Sequence, residues 1–383
     1  KTPLDVTDPN TTAGDYHTNT VTDTFIFGTS PIVTKTDVLV VDSDGSGGTM
    51  PLANQAVTPG DILEYGIVVT NPSTNIAINS VVLIDAIPAN TTYIAGSLKV
   101  TTGTNTITLT DGAADDQAEV NGSELIFRLG TGANATTGGS LAASETTTVK
   151  FRIQVNDPLP NGITQVSNHA LVSGSNFPNL NSNDPDTSTA DDPTITRIAP
   201  RLRLVKRITA INTTIFTNVI DPTTTTDLND NSNVRWSPNY LKGKVSDTIK
   251  PGDTIEYTIY FLSDGANIAN NTTFCDRIPA NTNFVADTFN SGYTANSMGL
   301  PADRGILWQY NGTIQSLTNI SDGDAATYFF PGVEPSTVYP NINCQGSNTN
   351  GAIVVNLGSL PNATGAGTPA SSYGFVRFRA KVQ

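Results

Sequence analysis

Two lysines stand where apolar residues are expected. In the run Arg201–Ile208, Leu202, Leu204, Lys206 and Ile208 share one phase of a two-residue period, and Arg201, Arg203, Val205 and Arg207 share the other. Successive strand side chains point to opposite faces. Lys206 therefore lies on the apolar face, where a lysine is rarely found without a partner. Lys35 falls in phase with Val33 and Leu39 in an earlier run of the same kind. Asn168 is in phase with Ala170, Asn19 with Val21, Asp85 with Val81 and Leu83, and Asp276 with Phe274. Burial drives a lysine towards its neutral amine and an aspartate towards its protonated acid. A neutral amine then attacks an asparagine amide while the acid polarises the carbonyl and carries protons. The predicted product is an isopeptide bond between Lys35 and Asn168, assisted by Asp85. A second bond would join Lys206 to Asn19 of another chain, assisted by Asp276. A plain buried ion pair, or a lysine snorkelling to the edge, uses the same residues.

Other chemistry is thinner. Asp42 and Asp44 in the run DSDGSG, and Asp184 and Asp186 further on, are spaced like calcium ligands. None of these loops has a complete ligand set, and solvated acidic loops share their composition. Calcium is a possible ligand, and no other cofactor is implied. The only histidines are His17 and His169, both beside the in-phase asparagines and read as surface strand residues. No HExxH, nucleophile elbow or phosphate loop is present, so the sequence reads as a non-enzyme. Cys275 and Cys344 are the only cysteines, and an even count in a cysteine-poor secreted chain suggests one disulfide.

The elements that must position these residues are strands. No long segment shows helical periodicity, and Pro, Gly and Asn interrupt every candidate. Short alternating runs recur instead, including Ile62–Thr70, Ser80–Asp85, Thr147–Val155, Gln165–Val172, Thr254–Leu262 and Phe375–Val382. Such runs with turn residues between them indicate antiparallel β-sandwiches. The pattern also repeats. Val57–Tyr65 (VTPGDILEY) matches Ile249–Tyr257 (IKPGDTIEY), Ile87–Ile94 matches Ile278–Val285, and Val149–Val155 matches Val376–Val382.

The predicted fold is all-β, with two Ig-like antiparallel sandwiches in tandem and an N-terminal extended donor strand. Residues 1–30 form the arm, 31–178 domain one, 179–199 a polar acidic linker, and 200–383 domain two. Domain two has two stretches without a match in domain one, 211–246 and 287–350. They carry Trp236, Tyr240, Trp308, Tyr310, Tyr328, Phe329, Phe330 and Tyr339, read as packing residues first and as a glycan or host-surface contact second. The copies also differ at one end. Domain one continues into the strand Gln165–Val172, whereas domain two has no such strand after Val382. The arm holds a strand of that kind in Asp15–Gly28, with Asn19, Val21, Phe25 and Phe27 as donor residues. Its predicted acceptor is a groove lined by Leu202, Leu204, Ile208, Phe375, Phe378 and Val382.

Composition sets the surroundings. The net charge of −14 argues against nucleic acid and against anionic membranes. Only 14% of residues are charged, which suits an extracellular or cell-surface β-protein. No apolar run approaches the length of a membrane span. The chain begins at Lys1, as a processed mature form or a fragment does.

The repeated motifs resemble the domain-of-unknown-function 11 repeat of bacterial surface proteins. The resemblance rests on the Lys-bearing first strand, Pro-Gly-Asp before Tyr65 and Tyr257, Ile-Pro-Ala-Asn at 87–90 and 278–281, and the Val149 and Val376 strands. It implies Ig-like sandwiches of large secreted or wall-associated proteins, without catalytic activity. The Lys, Asn and Asp set is also similar to the Lys–Asn links of surface pilins and adhesins. The expected function is a structural subunit of a bacterial extracellular filament. Identical subunits would join head to tail when the arm of one enters domain two of the next. A repeat segment of a large surface adhesin and a glycan-binding surface-layer protein are the alternatives.

Overall fold

The structure is a computed structural model that describes residues 30–43, 50–51, 56–220, 233–290 and 303–383. Donor residues Asn19, Val21, Phe25 and Phe27, and the calcium candidate Asp44, lie outside the described residues. Nearly every element is a strand, and the first domain is a sandwich of two antiparallel sheets. One sheet has the order β1-β2-β8-β4-β5, with β1 Ile32–Val41, β2 Ile62–Thr70, β4 Lys99–Thr102, β5 Asn105–Thr108 and β8 Thr146–Val155. The other has the order β11-β10-β3-β7-β6. Its members are β3 Ile78–Ala86, β6 Ala118–Asn121, β7 Glu124–Arg128, β10 Ala170–Ser173 and β11 Leu180–Asn181. Inward residues of both sheets, among them Leu63, Tyr65, Ile67, Leu83, Phe127 and Phe151, make one core. The alternation read from sequence is the burial pattern observed, because a pleated strand offers only one face to that core.

The turns explain two of the repeated motifs. Gly60 and Gly252 of the Pro-Gly-Asp runs have φ of 95° and 89°, the left-handed region that a Pro-Gly turn needs at its third position. Asn90 and Asn281, which close Ile-Pro-Ala-Asn, have φ of 66° and 60°, a conformation that asparagine tolerates better than most residues.

Domain two repeats the larger sheet of this plan strand for strand and, among the described residues, three strands of the smaller one. Its larger sheet has the order β13-β14-β20-β16-β17, with β13 Leu202–Ile211, β14 Thr254–Ser263, β16 Ile306–Tyr310, β17 Thr313–Leu317 and β20 Tyr373–Val382. Its smaller sheet has the order β15-β19-β18, with β15 Ala269–Arg277, β18 Ala326–Phe329 and β19 Ala352–Leu360. The stretch 287–350 is therefore no insertion. It carries β16, β17 and β18 in the places of β4, β5 and β6. Trp308 pairs with Val376 as Val100 pairs with Val149. The correspondence was hidden because these outer strands share shape but not side chains. Within 211–246, the described residues Trp236 and Leu241 lie buried with Val205, Tyr260 and Leu262 on the outer face of the larger sheet.

The stretch 179–199 is not a free linker. Leu180–Asn181 pairs with β10, and β12, Thr194–Ile198, pairs with β9, Gln165–Asn168. Thr194, Thr196 and Ile198 face inward in strict alternation, which the polar composition concealed. The predicted final strand Gln165–Val172 is accordingly two strands, broken at His169. β9 pairs with β12 and β10 with β3. His169 is half-buried at that break and not a surface residue.

The domain junction is built from buried charge. Arg201 donates to Asp264 at 2.8 and 2.9 Å, to Asp157 of domain one at 3.0 Å, and to the Pro59 carbonyl. Arg235 donates to the Leu159 carbonyl at 2.9 Å. Ala266 is buried in the core of domain one. Asn267 donates to the Ile163 and Ile198 carbonyls at 3.1 Å each.

Candidate functional site

In domain one the predicted set comes together. Lys35 is fully buried, and its Nζ donates to Asp85 Oδ2 across the two sheets. The ring centroids of Tyr65 and Phe151 lie 4.4 and 5.3 Å from Nζ, so aromatic walls exclude water on that side. Asn168 closes the other side. Its backbone stands opposite Thr194, whose hydroxyl donates to the Lys35 carbonyl at 2.8 Å. Two residues on, Ala170 pairs with Asp85. Asn168 is buried, and its Nδ2 and Asp85 Oδ1 have no hydrogen-bond partner. Burial pushes the Lys35 amine below its ordinary value, and the charge of Asp85 pulls it back up. Burial pushes the Asp85 carboxyl up, while Lys35, and to a lesser degree Asn168 and His169, pull it down. Desolvation of both groups has this sign because the low-dielectric core disfavours either charge.

Domain two holds the same arrangement with one member missing. Lys206 Nζ lies 2.6 Å from Asp276 Oδ2, and 4.9 and 5.5 Å from the ring centroids of Tyr257 and Phe378. These four residues occupy the places of Lys35, Asp85, Tyr65 and Phe151. No strand among the described residues occupies the place of β10, so β15 is an edge strand. Exposure follows from this. The Lys35 and Asp85 side chains are both 0% exposed, but those of Lys206 and Asp276 are 35% and 19% exposed. Leu204, the counterpart of Val33, is 47% exposed, whereas Val33 is 3% exposed. Ile268, beside the start of β15, is also exposed. Burial nevertheless raises the Asp276 carboxyl above its ordinary value, against the pull of Lys206.

The groove predicted from sequence needs correction. Both edges of β20 are taken, by β14 on one side and by β16 and the short strand Thr282–Phe284 on the other. Phe378 is fully buried in the core and Ile208 is buried. Phe375 packs on the opposite face with Tyr240 and Tyr260. Val382 ends β20 opposite Thr282. Only Leu204, with the half-buried Leu202, lines the open side beside β15. Sequence reasoning missed β15 because an edge shows only in the strand order. The signal was the alignment of Asp276 with Asp85, whose strand partners β10.

The disulfide is present. Cys275 on β15 is bonded to Cys344, with 5.4 Å between their Cα atoms, and ties the edge strand to the loop before β19. Among the described residues no three His, Cys, Asp or Glu side chains group as metal ligands. Asp184 is buried in a turn where it accepts from the Asp186 amide. Trp236 and Trp308 are buried in packing clusters, which leaves neither as a free glycan platform. Among the described residues no helix is long and apolar enough to cross a membrane.

No family model and no curated protein matches this chain. Among solved structures it is similar to the N-terminal domain of the Streptococcus gordonii adhesin Sgo0707 at 14% identity and TM-score 0.29, over 44% of this chain and 32% of that one. It is similar to BcpA, the major pilin subunit of Bacillus cereus, at 12% identity and TM-score 0.31, over 77% and 67%. It is also similar to the full-length major pilin SpaD from Corynebacterium diphtheriae at 12% identity and TM-score 0.27, over 60% and 41%. The chain thus spans about a third of the adhesin domain and two fifths of SpaD. At these TM-scores the likenesses carry no argument, and the Ig-like reading stands on strand order and register.

Proposed function

We propose that this chain is a structural subunit of a bacterial extracellular filament, in which domain two takes a strand from the N-terminal arm of the next copy. The observation that carries the reading is the outer edge of β15, which no described strand pairs, flanked by exposed Leu204 and by the Lys206–Asp276 pair. An open edge beside apolar surface invites strand addition, which satisfies backbone groups and covers side chains together. Placed in the register that β10 has in domain one, Val21 of a neighbour would stand opposite Asp276 and its Asn19 would face Lys206.

Chain reach argues for a neighbour as donor. β1 enters domain one at Ile32, opposite Thr70, and ends near Asp61 beside the junction. Its ten residues place Pro31 ~30 Å from that junction at the rise of an extended strand. A strand antiparallel to β15 runs from Asp276 towards Ala269, which adjoins the same junction. In that register residue 28 stands opposite Ala269. Thr29 and Ser30 span only ~7 Å, too little to return to the start of β1. An arm from another copy meets no such limit. Its own domain one then follows beside the neighbour's junction, and the copies overlap along the filament. Such a contact is heterologous and does not close, so it builds an open array.

Deleting residues 1–30 tests the reading. The truncated chain is expected to keep the fold of both domains and to sediment as a monomer, with no filaments by electron microscopy. Filaments from the truncated chain would show that the strand comes from elsewhere.

A further inference from the structure

We infer that domain one joins Lys35 to Asn168 by an isopeptide bond that it forms itself, with Asp85 as the proton-handling group. This inference concerns domain one alone and holds whether or not filaments assemble.

The arrangement has the parts this reaction needs. Lys35 Nζ is buried against aromatic rings and donates to Asp85. A proton passed along that hydrogen bond leaves an amine and a carboxylic acid, both neutral, as a dry core favours. The amide of Asn168 is buried beside the acid, close enough to pull its carboxyl down, and its Nδ2 makes no hydrogen bond of ordinary geometry. A buried amide nitrogen without a partner is costly in a finished structure. It is the leaving group in this reaction. Three independent strands, β1, β3 and β9, supply the groups, and β12 fixes their spacing through Thr194.

The step balances without any co-reactant. The Nζ lone pair attacks Cγ of Asn168 while the Asp85 acid donates to Oδ1. A tetrahedral carbon forms. Asp85 then carries a proton from Nζ to Nδ2, the Cγ–Nδ2 bond breaks, and ammonia leaves. The carbonyl reforms as a secondary amide between Nζ and Cγ as the Oδ1 proton returns to Asp85, which ends as the neutral acid that began the step. Proximity supplies most of the acceleration, since the reacting groups are held in place by the fold.

The test uses the full-length folded protein. Its intact mass is expected to fall short of the sequence mass by one ammonia, and tryptic digestion should release a branched peptide containing both Lys35 and Asn168. Asn168→Ala should show no deficit beyond the substitution and no branched peptide. Asp85→Ala should slow or stop formation. If either variant fails to fold, the branched peptide from the native chain still decides the matter. A full sequence mass overturns the inference. So does an ammonia deficit without the branched peptide, which cyclisation at an Asn-Gly pair produces.

Discussion

Lys206 and Asp276 form, 2.6 Å apart, the pair that Lys35 and Asp85 form in domain one, yet among the described residues no third member stands beside them. The two domains therefore present a closed and an open version of one site. If the closed version reacts within the chain, the open one is poised to react between chains. A synthetic peptide of residues 15–28, added to the chain lacking residues 1–30, should bind domain two and yield an adduct that survives boiling in detergent. Lys206→Ala in the chain, or Asn19→Ala in the peptide, should abolish the adduct and leave reversible binding. Binding that is never covalent would confine the reaction to domain one.

The exposed Leu204 separates assembly from folding. Covering a leucine side chain is worth about 1.5–3 kcal/mol. Leu204→Asp should weaken subunit association by at least about tenfold, since 1.4 kcal/mol corresponds to that factor. Melting of the isolated chain should change little, because Leu204 is 47% exposed before any partner arrives. Sedimentation and calorimetry on the same variant check both halves.

The disulfide holds β15, the strand proposed to receive the donor. It closes a loop across a sequence separation of 69. The chain-entropy model assigns such a cross-link about 4 kcal/mol. Cys344→Ser, with Cys275→Ser to avoid a free thiol, should lower the denaturant midpoint of domain two and leave domain one unchanged. Amide exchange along 269–277 should rise with it.

Arg201 links the domains through Asp157 and Asp264. Removing one member of a buried ion cluster costs about 3–5 kcal/mol, because the remaining charge stays buried without its counterion. Arg201→Ala should split the thermal transition into two and broaden the interdomain distance distribution seen by small-angle scattering. A single unchanged transition would mean that Arg235 and Asn267 hold the junction alone.

Glu64 gives the pH response a sign. It is nearly buried, yet Lys150 and Arg152, each at 2.9 Å, outweigh desolvation and hold its carboxyl below the ordinary value. A carboxylate depressed in the folded state contributes stability above its unfolded value, about 4.3, and loses it as pH falls through the folded value. Acid titration of domain one should therefore show loss of stability below about pH 4, and Glu64→Gln should flatten that limb.

Sequence alone determined the repeat, the strand character and the alignment of Lys35 with Lys206 and of Asp85 with Asp276. These rest on a two-residue period and on turn residues, which are local properties of the chain. It also paired Cys275 with Cys344, because two cysteines admit one bridge. Tertiary structure decided the rest. Phe375 and Phe378 stand three residues apart, so the two-residue period already sends them to opposite faces of β20; only the fold shows that residues 233–241 cover the outer face and pack Phe375 into an aromatic cluster. Thr194–Ile198 looks like linker until its pairing with β9 is known. That β15 lies where β3 meets β10, with no described strand beside it, shows only in the strand order. Edges, covers and neighbours are relations between distant segments, and no local pattern in the chain encodes which of them goes unfilled.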